Sequence, residues 1–417
     1  MDIQSQTAED LEAQFRAWGQ PAYRVAQLLE WLYVHRAANW EAMTNLPRAL
    51  RDELRKQYSL TALELIRKQG ARDTTQKFLW RLTDQALIES VLIPANPALY
   101  GEASDRHTLC VSTQVGCAYG CKFCASGLKG WKRNLRVEEI VGQVVAVERW
   151  NAEEGRGAGV QSPKSKVQSL TPDIDNQGLD AGSPGPESSI ADHASRITHH
   201  VSPSLQPRLV SNLVIMGMGE PLANYENLLK ALRILNAPWG GGIGARKITI
   251  STSGLAPQIR KLAEESLQFR LAVSLHGATD ATRDKIMPVN RKYPLRELTA
   301  ACEYYQQNRR RMITFEYVLI AGVNDGLDQV KPLATLAQRL NAKVNLIPYN
   351  QVEGLPWERP TEEAQEAFLK ALEKQKVSAT LRREKGGDID AACGQLRLKT
   401  ERELAKVKVP SEAREYP

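Results

Sequence analysis

From Thr108 onward, short apolar runs with strand character alternate with helical patterns, and this alternation restricts the fold more than any other feature. Strand-like runs occupy residues 109–115, 213–217, 247–251, 270–275, 313–319 and 344–348. After each, apolar residues recur at helical spacing, over residues 137–150, 225–235, 256–265, 295–308, 330–340 and 361–374. Six strand-then-helix units predict a parallel sheet, because each returning helix must cover a sheet face. The crossovers are expected to be right-handed. The expected fold class is α/β, a partial (βα)6 barrel curved but left open.

The rhythm breaks once. Residues 152–207 are rich in Ser, Pro, Gly, Asp and Gln and contain no Phe, Tyr or Trp. Such a stretch cannot bury enough surface to offset its ordering entropy, so a disordered insertion inside the barrel is predicted. His193, His199 and His200 lie in it and are read as linker residues without a role.

Before the barrel, residues 1–75 read as a helical accessory domain. Tyr23, Val25, Leu28, Leu29 and Leu32, then Leu50, Leu54 and Tyr58 after Pro47, follow helical spacing, and the pattern is taken as helical to about Gln69. Arg24, Arg36, Arg48, Arg51, Arg55 and Lys56 make this segment basic. It is either a bundle with a solvated basic face or an RNA-gripping appendage. Residues 76–107 read as a hairpin and linker carrying Glu89, through Phe78-Leu79-Trp80-Arg81-Leu82 and Ile88-Glu89-Ser90-Val91-Leu92-Ile93-Pro94. The barrel then spans 108–400, and 401–417 form a tail.

A net charge of +7 suggests a polyanionic partner, an inference that needs a motif beside it. No run of about 18 apolar residues occurs, so no membrane partner is expected. Met1-Asp2-Ile3-Gln4 lacks the basic flank of a secretory signal, which points to the cytoplasm. There, thiols stay reduced, and six cysteines read as ligands or catalytic groups rather than disulfides. Four of the six fall between Cys110 and Cys124, which strengthens that reading.

Cys117-Ala118-Tyr119-Gly120-Cys121-Lys122-Phe123-Cys124 spells C-x3-C-x2-C with an aromatic before the last cysteine. Three thiolates on one short loop can hold three irons of a [4Fe–4S] cubane and leave the fourth open. S-adenosylmethionine (SAM) can chelate that iron through its amino and carboxylate groups, and a reduced cluster then cleaves it to a 5′-deoxyadenosyl radical. The competing reading is a zinc site, which wants four protein ligands and usually a second C-x2-C pair, absent here. Met216-Gly217-Met218-Gly219-Glu220-Pro221, Ser251-Thr252-Ser253-Gly254, Ser274-Leu275-His276 and Pro348-Tyr349-Asn350 all end barrel strands on one rim. The glycines would let the backbone approach a ligand, and Glu220 could bind the ammonium of SAM.

Of the remaining cysteines, Cys302 in a helix reads as a small buried hydrophobe. Cys393, in Asp390-Ala391-Ala392-Cys393-Gly394-Gln395-Leu396, reads as an exposed thiol. With Leu109-Cys110-Val111-Ser112, Gln114-Val115-Gly116-Cys117, Arg133-Asn134-Leu135 and the Met216–Pro221 text, these residues make the chain similar to the RlmN family. That family comprises radical-SAM methyltransferases acting on carbon 2 of adenine in 23S ribosomal RNA and in some tRNAs. The resemblance covers the chain apart from the insertion, and extends to the carbon-8 relative Cfr. It implies Cys117, Cys121 and Cys124 as cluster ligands, and Gly219, Glu220, Ser251, Ser274, Leu275, His276 and Asn350 as SAM contacts. Cys393 would accept a methyl group, Cys110 would resolve it, and Glu89 would be the general base. Two departures stand out: the longer insertion, and an extra stretch over 95–105 between Glu89 and Cys110.

The chemistry implied has a reason. Carbon 2 lies between two electron-withdrawing nitrogens and cannot attack the methyl of SAM. A thiolate can, so Cys393 takes the methyl, and a radical from a second SAM removes hydrogen from it. The carbon radical adds to adenine, a base such as Glu89 removes the carbon-2 proton, and Cys110 attacks the sulfur of Cys393, leaving a disulfide. The two cysteines must then meet, with Cα atoms within about 7 Å. Lys129, Lys132 and Arg133 are candidate phosphate contacts. Expected partners are 23S rRNA and tRNA, a flavodoxin- or ferredoxin-type electron donor and a thiol reductant, for a monomeric enzyme. The alternatives are a carbon-8 methyltransferase, a zinc-holding RNA-binding protein and a radical-SAM enzyme for a small molecule.

Overall fold

The computed structural model describes residues 1–71, 74–95, 106–157, 208–382 and 394–407. Expectations for Cys393, for His193, His199 and His200, for 96–105, for nearly all of the insertion and for the end of the tail lie outside the described residues. The chain divides into two units, one of Met1–Arg149 with Arg208–Pro417 and one of Trp150–Pro207. Of the second, only the end of a helix is described.

The main sheet begins with three antiparallel strands, β1 (Glu64–Gln69), β2 (Gln76–Arg81) and β3 (Leu87–Pro94), the last pairing antiparallel with β4 (His107–Cys110). A separate two-stranded ribbon joins β5 (Gln114–Gly116) to β6 (Trp131–Asn134). The parallel part continues from β4 through β7 (Val210–Ile215), β8 (Ile248–Thr252), β9 (Arg270–Ser274), β10 (Thr314–Leu319), β11 (Lys343–Pro348) and β12 (Ala379–Leu381). The ten strands form one sheet in the linear order β1-β2-β3-β4-β7-β8-β9-β10-β11-β12. The barrel is therefore open, as the alternation predicts.

Helices α1 (Ala8–Ala17), α2 (Tyr23–Tyr33) and α3 (Arg48–Gln57) precede the sheet. Next come α4 (Val137–Gly157), α5 (Tyr225–Asn236), α6 (Ala256–Glu264), α7 (Asp280–Ile286), α8 (Leu295–Arg309), α9 (Val330–Arg339), α10 (Glu362–Lys374) and α11 (Gln395–Val407). Alternation along the parallel strands separates two faces. Leu213 and Ile215, Ile248 and Ile250, Leu271 and Val273, Phe315 and Tyr317, and Val344 and Leu346 are all buried and supply an apolar face. The opposite parity carries Ser251, Ser274, Glu316 and Asn345, with Ser274, Glu316 and Asn345 in register across three strands. A barrel whose other face is polar is lined rather than filled.

Three expectations are corrected. Glu64–Gln69 is strand β1, not helix: its partner β2 carries buried Phe78, Leu79 and Trp80, whose strand edge it covers, a long-range demand that local periodicity does not register. Residues 109–115 are two strands, because the chain leaves the main sheet after Cys110 and β5 pairs with β6. The hairpin around Glu89 is no linker; it extends the barrel sheet.

The N-terminal helices pack on the barrel within the same unit. Buried Arg36 pairs with buried Glu148 at 3.0 Å, and Tyr33 meets Trp239 with ring centroids 5.7 Å apart. Arg55 bonds Glu41, Lys56 lies 3.4 Å from Glu53, and Arg51 donates to the Glu41 carbonyl at 3.2 Å. Much of the basic charge is thus answered locally. Among the described residues, no helix is long and apolar enough to cross a membrane.

Candidate active site

The cysteine loop closes where two glycines meet. Gly116 has φ +79, and a Cβ there would lie 2.0 Å from the Gly130 carbonyl oxygen, so only glycine fits. That approach lets the Cys117 N–H bond Gly130 O at 3.1 Å, returning the loop to its start. Cys124 N donates to Cys121 O at 3.0 Å, Lys122 N to Ile286 O at 2.9 Å, and Trp357 Nε1 to Lys122 O at 2.9 Å. The Phe123 ring meets the His276 imidazole edge-on at 5.0 Å, which accounts for the aromatic before the last cysteine.

The three sulfurs act on one another electrostatically. Burial pushes the Cys117 thiol up to about 11, with Cys124 and Glu220 adding to the rise. It carries Cys121 well above the usual thiol range, with Cys124, Cys117 and Glu220 reinforcing it. Backbone N–H groups of Tyr119 and Gly120 face the Cys117 sulfur and favour its thiolate. Among the described residues no three His, Cys, Asp or Glu converge on a single metal ion. A cubane does not require that, since each thiolate takes its own iron; a mononuclear zinc site does. Tyr349, which feels the Cys124 charge, has a buried hydroxyl that faces the Val352 N–H and whose own proton meets no acceptor among the described residues. An unanswered buried proton near Cys124 fits a site built for a bound group.

Next to this loop the strand ends form a rim. Gly217 and Gly219 serve the protein first: a Cβ on Gly217 would lie 2.7 Å from Ser112 N, and one on Gly219 2.5 Å from Gln114 Cβ. They let the end of β7 lie against the Val111–Gln114 turn, rather than only admitting a ligand. Glu220 is buried, and its carboxylate accepts from Leu222 N at 3.1 Å and Ser253 N at 2.7 Å. Burial raises its pKa against the pull of these N–H groups. Ser251 and Ser274 hydroxyls lie 3.3 Å apart. Leu275 is buried, and His276 follows at φ +51, a left-handed conformation uncommon for a side-chain-bearing residue. Its Nδ1 accepts from Val318 N at 3.0 Å, so the ring proton sits on Nε2. Burial pushes its pKa down to about 3, with Arg283 adding, and the imidazole is neutral. Gly219, Glu220, Ser251, Ser274, Leu275 and His276 thus adjoin; Asn350 stands further round, with Oδ1 3.4 Å from Arg359 Nη1.

Sequence reasoning passed over the residue that joins this rim. Arg283 is fully buried; it donates to Ser253 O at 3.0 Å, Ser274 O at 3.1 Å, the Leu275 carbonyl and Asn290 Oδ1 at 2.9 Å. Its guanidinium crosses from the end of β8 to the end of β9 and stabilises a charge on Cys121. Its Arg-x6-Asn spacing to Asn290 was the available signal. Arg133, expected to meet phosphate, instead holds Glu139 with two bonds of 2.7 and 2.8 Å and Asp84 at 2.8 Å. Lys129 pairs with Glu401 at 2.7 Å, and Lys132 is exposed.

The third part is the corner between β3 and α11. Val91 is the Cα partner of Lys77 on one side and of Cys110 on the other. Glu89, two residues from Val91, shares that face with both. The buried Glu89 carboxylate accepts from Gly394 N at 2.8 Å and Arg397 N at 2.6 Å, and lies 3.3 Å from Lys77 Nζ. Gly394 has φ +85, and a Cβ there would lie 2.9 Å from Ser126 N, two residues past Cys124. The residue after Cys393 is therefore pinned between Glu89 and the cysteine loop. Leu396 packs with Leu79 and Leu87 beneath it. No disulfide joins the described cysteines.

An open parallel barrel with a three-cysteine loop beside its first strand and polar strand ends on one rim defines a radical-SAM enzyme, which works with SAM and a [4Fe–4S] cluster. Residues 206–331 match the Radical SAM superfamily, and residues 1–60 match the Ribosomal RNA large subunit methyltransferase N-terminal domain. The chain is 47% identical to RlmN 3 of Opitutus terrae, over 96% of this chain and 95% of that one. It is 42% identical to the dual-specificity RNA methyltransferase RlmN of Anaeromyxobacter dehalogenans, over 95% and 91%. The crystal structure of a radical SAM methyltransferase from Sphaerobacter thermophilus superposes with a TM-score of 0.77 at 39% identity, covering 95% of this chain and 98% of that one. The chain belongs to the RlmN family.

Proposed function

We propose that this enzyme methylates carbon 2 of an adenosine in 23S rRNA and in tRNA, through an S-methylated Cys393 and with two SAM per turnover. Cys117, Cys121 and Cys124 would hold the cluster, and Gly219, Glu220, Ser251, Ser274, Leu275, His276 and Asn350 would surround SAM. Bound there, the two cofactors supply a methyl group and a 5′-deoxyadenosyl radical. The chain's own residues do the rest. Cys393 carries the methyl and, after losing a hydrogen atom from it, bonds to the RNA base through that carbon. Glu89 takes the carbon-2 proton, and the unpaired electron left on the ring would return to the cluster; the Cys110 thiolate then attacks the Cys393 sulfur, the carbon–sulfur bond breaks, the freed carbon takes up a proton to become the methyl group, and a disulfide forms. A flavodoxin- or ferredoxin-type donor would reduce the cluster, and a cytoplasmic thiol reductant would reset the disulfide for a monomeric enzyme.

The observation that carries this reading is Gly394, held by Glu89 on the Cys110 face of the sheet and packed on Ser126 of the cysteine loop. A methyl carrier next to Gly394 would have base, resolving thiol and radical source within one corner. Cys110→Ala is expected to trap a protein–RNA crosslink visible on denaturing gels, and Cys393→Ala to give none. Identical, uncrosslinked behaviour of the two variants would refute these roles. Mass spectrometry of nucleosides from treated RNA should show 2-methyladenosine; 8-methyladenosine would assign the carbon-8 alternative instead.

A further inference from the structure

We infer that a cavity beside the cysteine loop takes an unstacked nucleobase of the RNA, next to the target adenosine, and that this base carries an exocyclic amine. The inference rests on RNA as the substrate and names a second place where that RNA is held. The cavity has a volume of about 510 Å³ and runs from Tyr119 of the cysteine loop and Asn134 on β6 to the turn after β7 and the starts of α5 and α6. No residue that lines it is one of the expected SAM contacts.

The lining selects the class of ligand. Its two charged residues, Glu226 and Lys261, pair with each other, and the Lys261 ammonium also lies 4.3 Å from the centre of the Tyr225 ring. A cation already answered twice has little to offer a phosphate. Tyr119 is half-buried and makes no ring contact with a described residue, so its ring is open to a stacked base. Asn224 spends its amide hydrogens on Thr113 O and Leu135 O, and Asn227 spends its own on Leu135 O and Asn224 Oδ1. That leaves Asn227 Oδ1 without a donor among the described residues, and the Gln258 amide oxygen is buried with no partner. Two unanswered acceptors favour adenine, cytosine or guanine, each with an exocyclic amine, over uracil, whose exocyclic oxygens only accept. Position supplies the neighbour. Tyr119 stands two residues from Cys117 and two from Cys121. An adenosine drawn out of its stack to react beside this loop leaves the adjoining nucleotide without a stacking partner. The Tyr119 ring takes that partner's place.

The test uses the full-length holoenzyme and a tRNA that it methylates, assembled by ligation so that either neighbour of the methylated adenosine can be changed, and reads Kd by fluorescence anisotropy. Tyr119→Ala should weaken binding about 5-fold or more, the lower end for one base on an aromatic ring. An abasic site at one of the two neighbours should weaken wild type by a similar factor, and the two changes together should cost no more than either alone. With adenine and then uracil at that neighbour, wild type should bind the first more tightly, and Gln258→Leu should bind both alike. Gln258 lies on α6, apart from the cysteine loop in sequence, so this arm stands even where Tyr119→Ala disturbs the loop. Unchanged Kd in both variants, losses that multiply when Tyr119→Ala meets the abasic tRNA, or a preference for adenine that survives in Gln258→Leu would each overturn the inference. A wild-type enzyme that methylates neither tRNA nor a 23S rRNA fragment would instead overturn the substrate itself, so the two failures are distinguishable.

Discussion

Along the rim from Glu220 to His276, side chains are fastened mainly to backbone groups of the neighbouring strand end. Ser253 N holds Glu220, Val318 N holds His276, and three carbonyls hold Arg283. At the corner between β3 and α11, a buried ammonium and carboxylate hold the first turn of a helix from 305 positions away. Strand ends are fixed by the sheet, so the rim needs only short, mostly neutral bonds to stay in place. The corner has no such frame. It joins an interior strand of the sheet to a helix that follows a long connection, and it uses charge to do so. The rim should therefore be stiff, the corner strong but dependent on both charges.

The largest expected effect breaks the corner. Glu89→Ala removes one half of a buried pair, which costs about 3–5 kcal/mol. It also uncaps α11 at Gly394 and Arg397. Denaturant unfolding should show the loss, and limited proteolysis should cut near residue 394 before any other described segment. A loss below about 1 kcal/mol would mean that charge does not hold this corner.

A smaller effect tests the rim. Arg283 is a buried cation whose hydrogen bonds go to dipoles and not to a carboxylate, and burial lowers its pKa to about 10. What matters there is the planar fork, which spans two strand ends; an ammonium cannot. Arg283→Lys should thus cost about 2–3 kcal/mol, the loss expected when buried carbonyls go unanswered, and should weaken SAM binding measured by calorimetry. If Lys at 283 is tolerated, the rim too depends on charge alone and the contrast with the corner disappears.

The two regions were also unequally legible. Each rim residue sits within a few positions of a strand's end, so an alternating pattern located Glu220, Ser251, Ser274 and His276 before any coordinates. The cysteine loop announces itself by spacing. Arg283 escaped because its role is set by three carbonyls, and carbonyls carry no sequence. Lys77 escaped because nothing local connects it to Glu89: the two meet only once β2 and β3 pair and α11 closes over them. Glu89 and Cys110 were reached through resemblance, and their shared face follows from the register around Val91. Strand β1 was lost to the same cause, a pairing demand that arises elsewhere in the chain.

The smallest effect sharpens the claim that the rim is stiff. His276 is neutral when folded, its pKa lowered by burial to about 3. An unfolded histidine titrates near 6.5. Below that pH the unfolded chain binds a proton that the folded chain refuses, so stability is complete above about pH 6.5 and falls as pH drops toward 3. Between pH 6.5 and 5.5 the loss from this one group is about 1 kcal/mol. His276→Asn keeps a residue that tolerates the left-handed backbone and removes the titration. Its unfolding free energy should fall less steeply than wild type over that interval, while SAM affinity of the wild type stays level, since the imidazole does not change charge there. Equal slopes for the two proteins would mean that His276 opens to water in the folded state, and the rim would then be no stiffer than the corner.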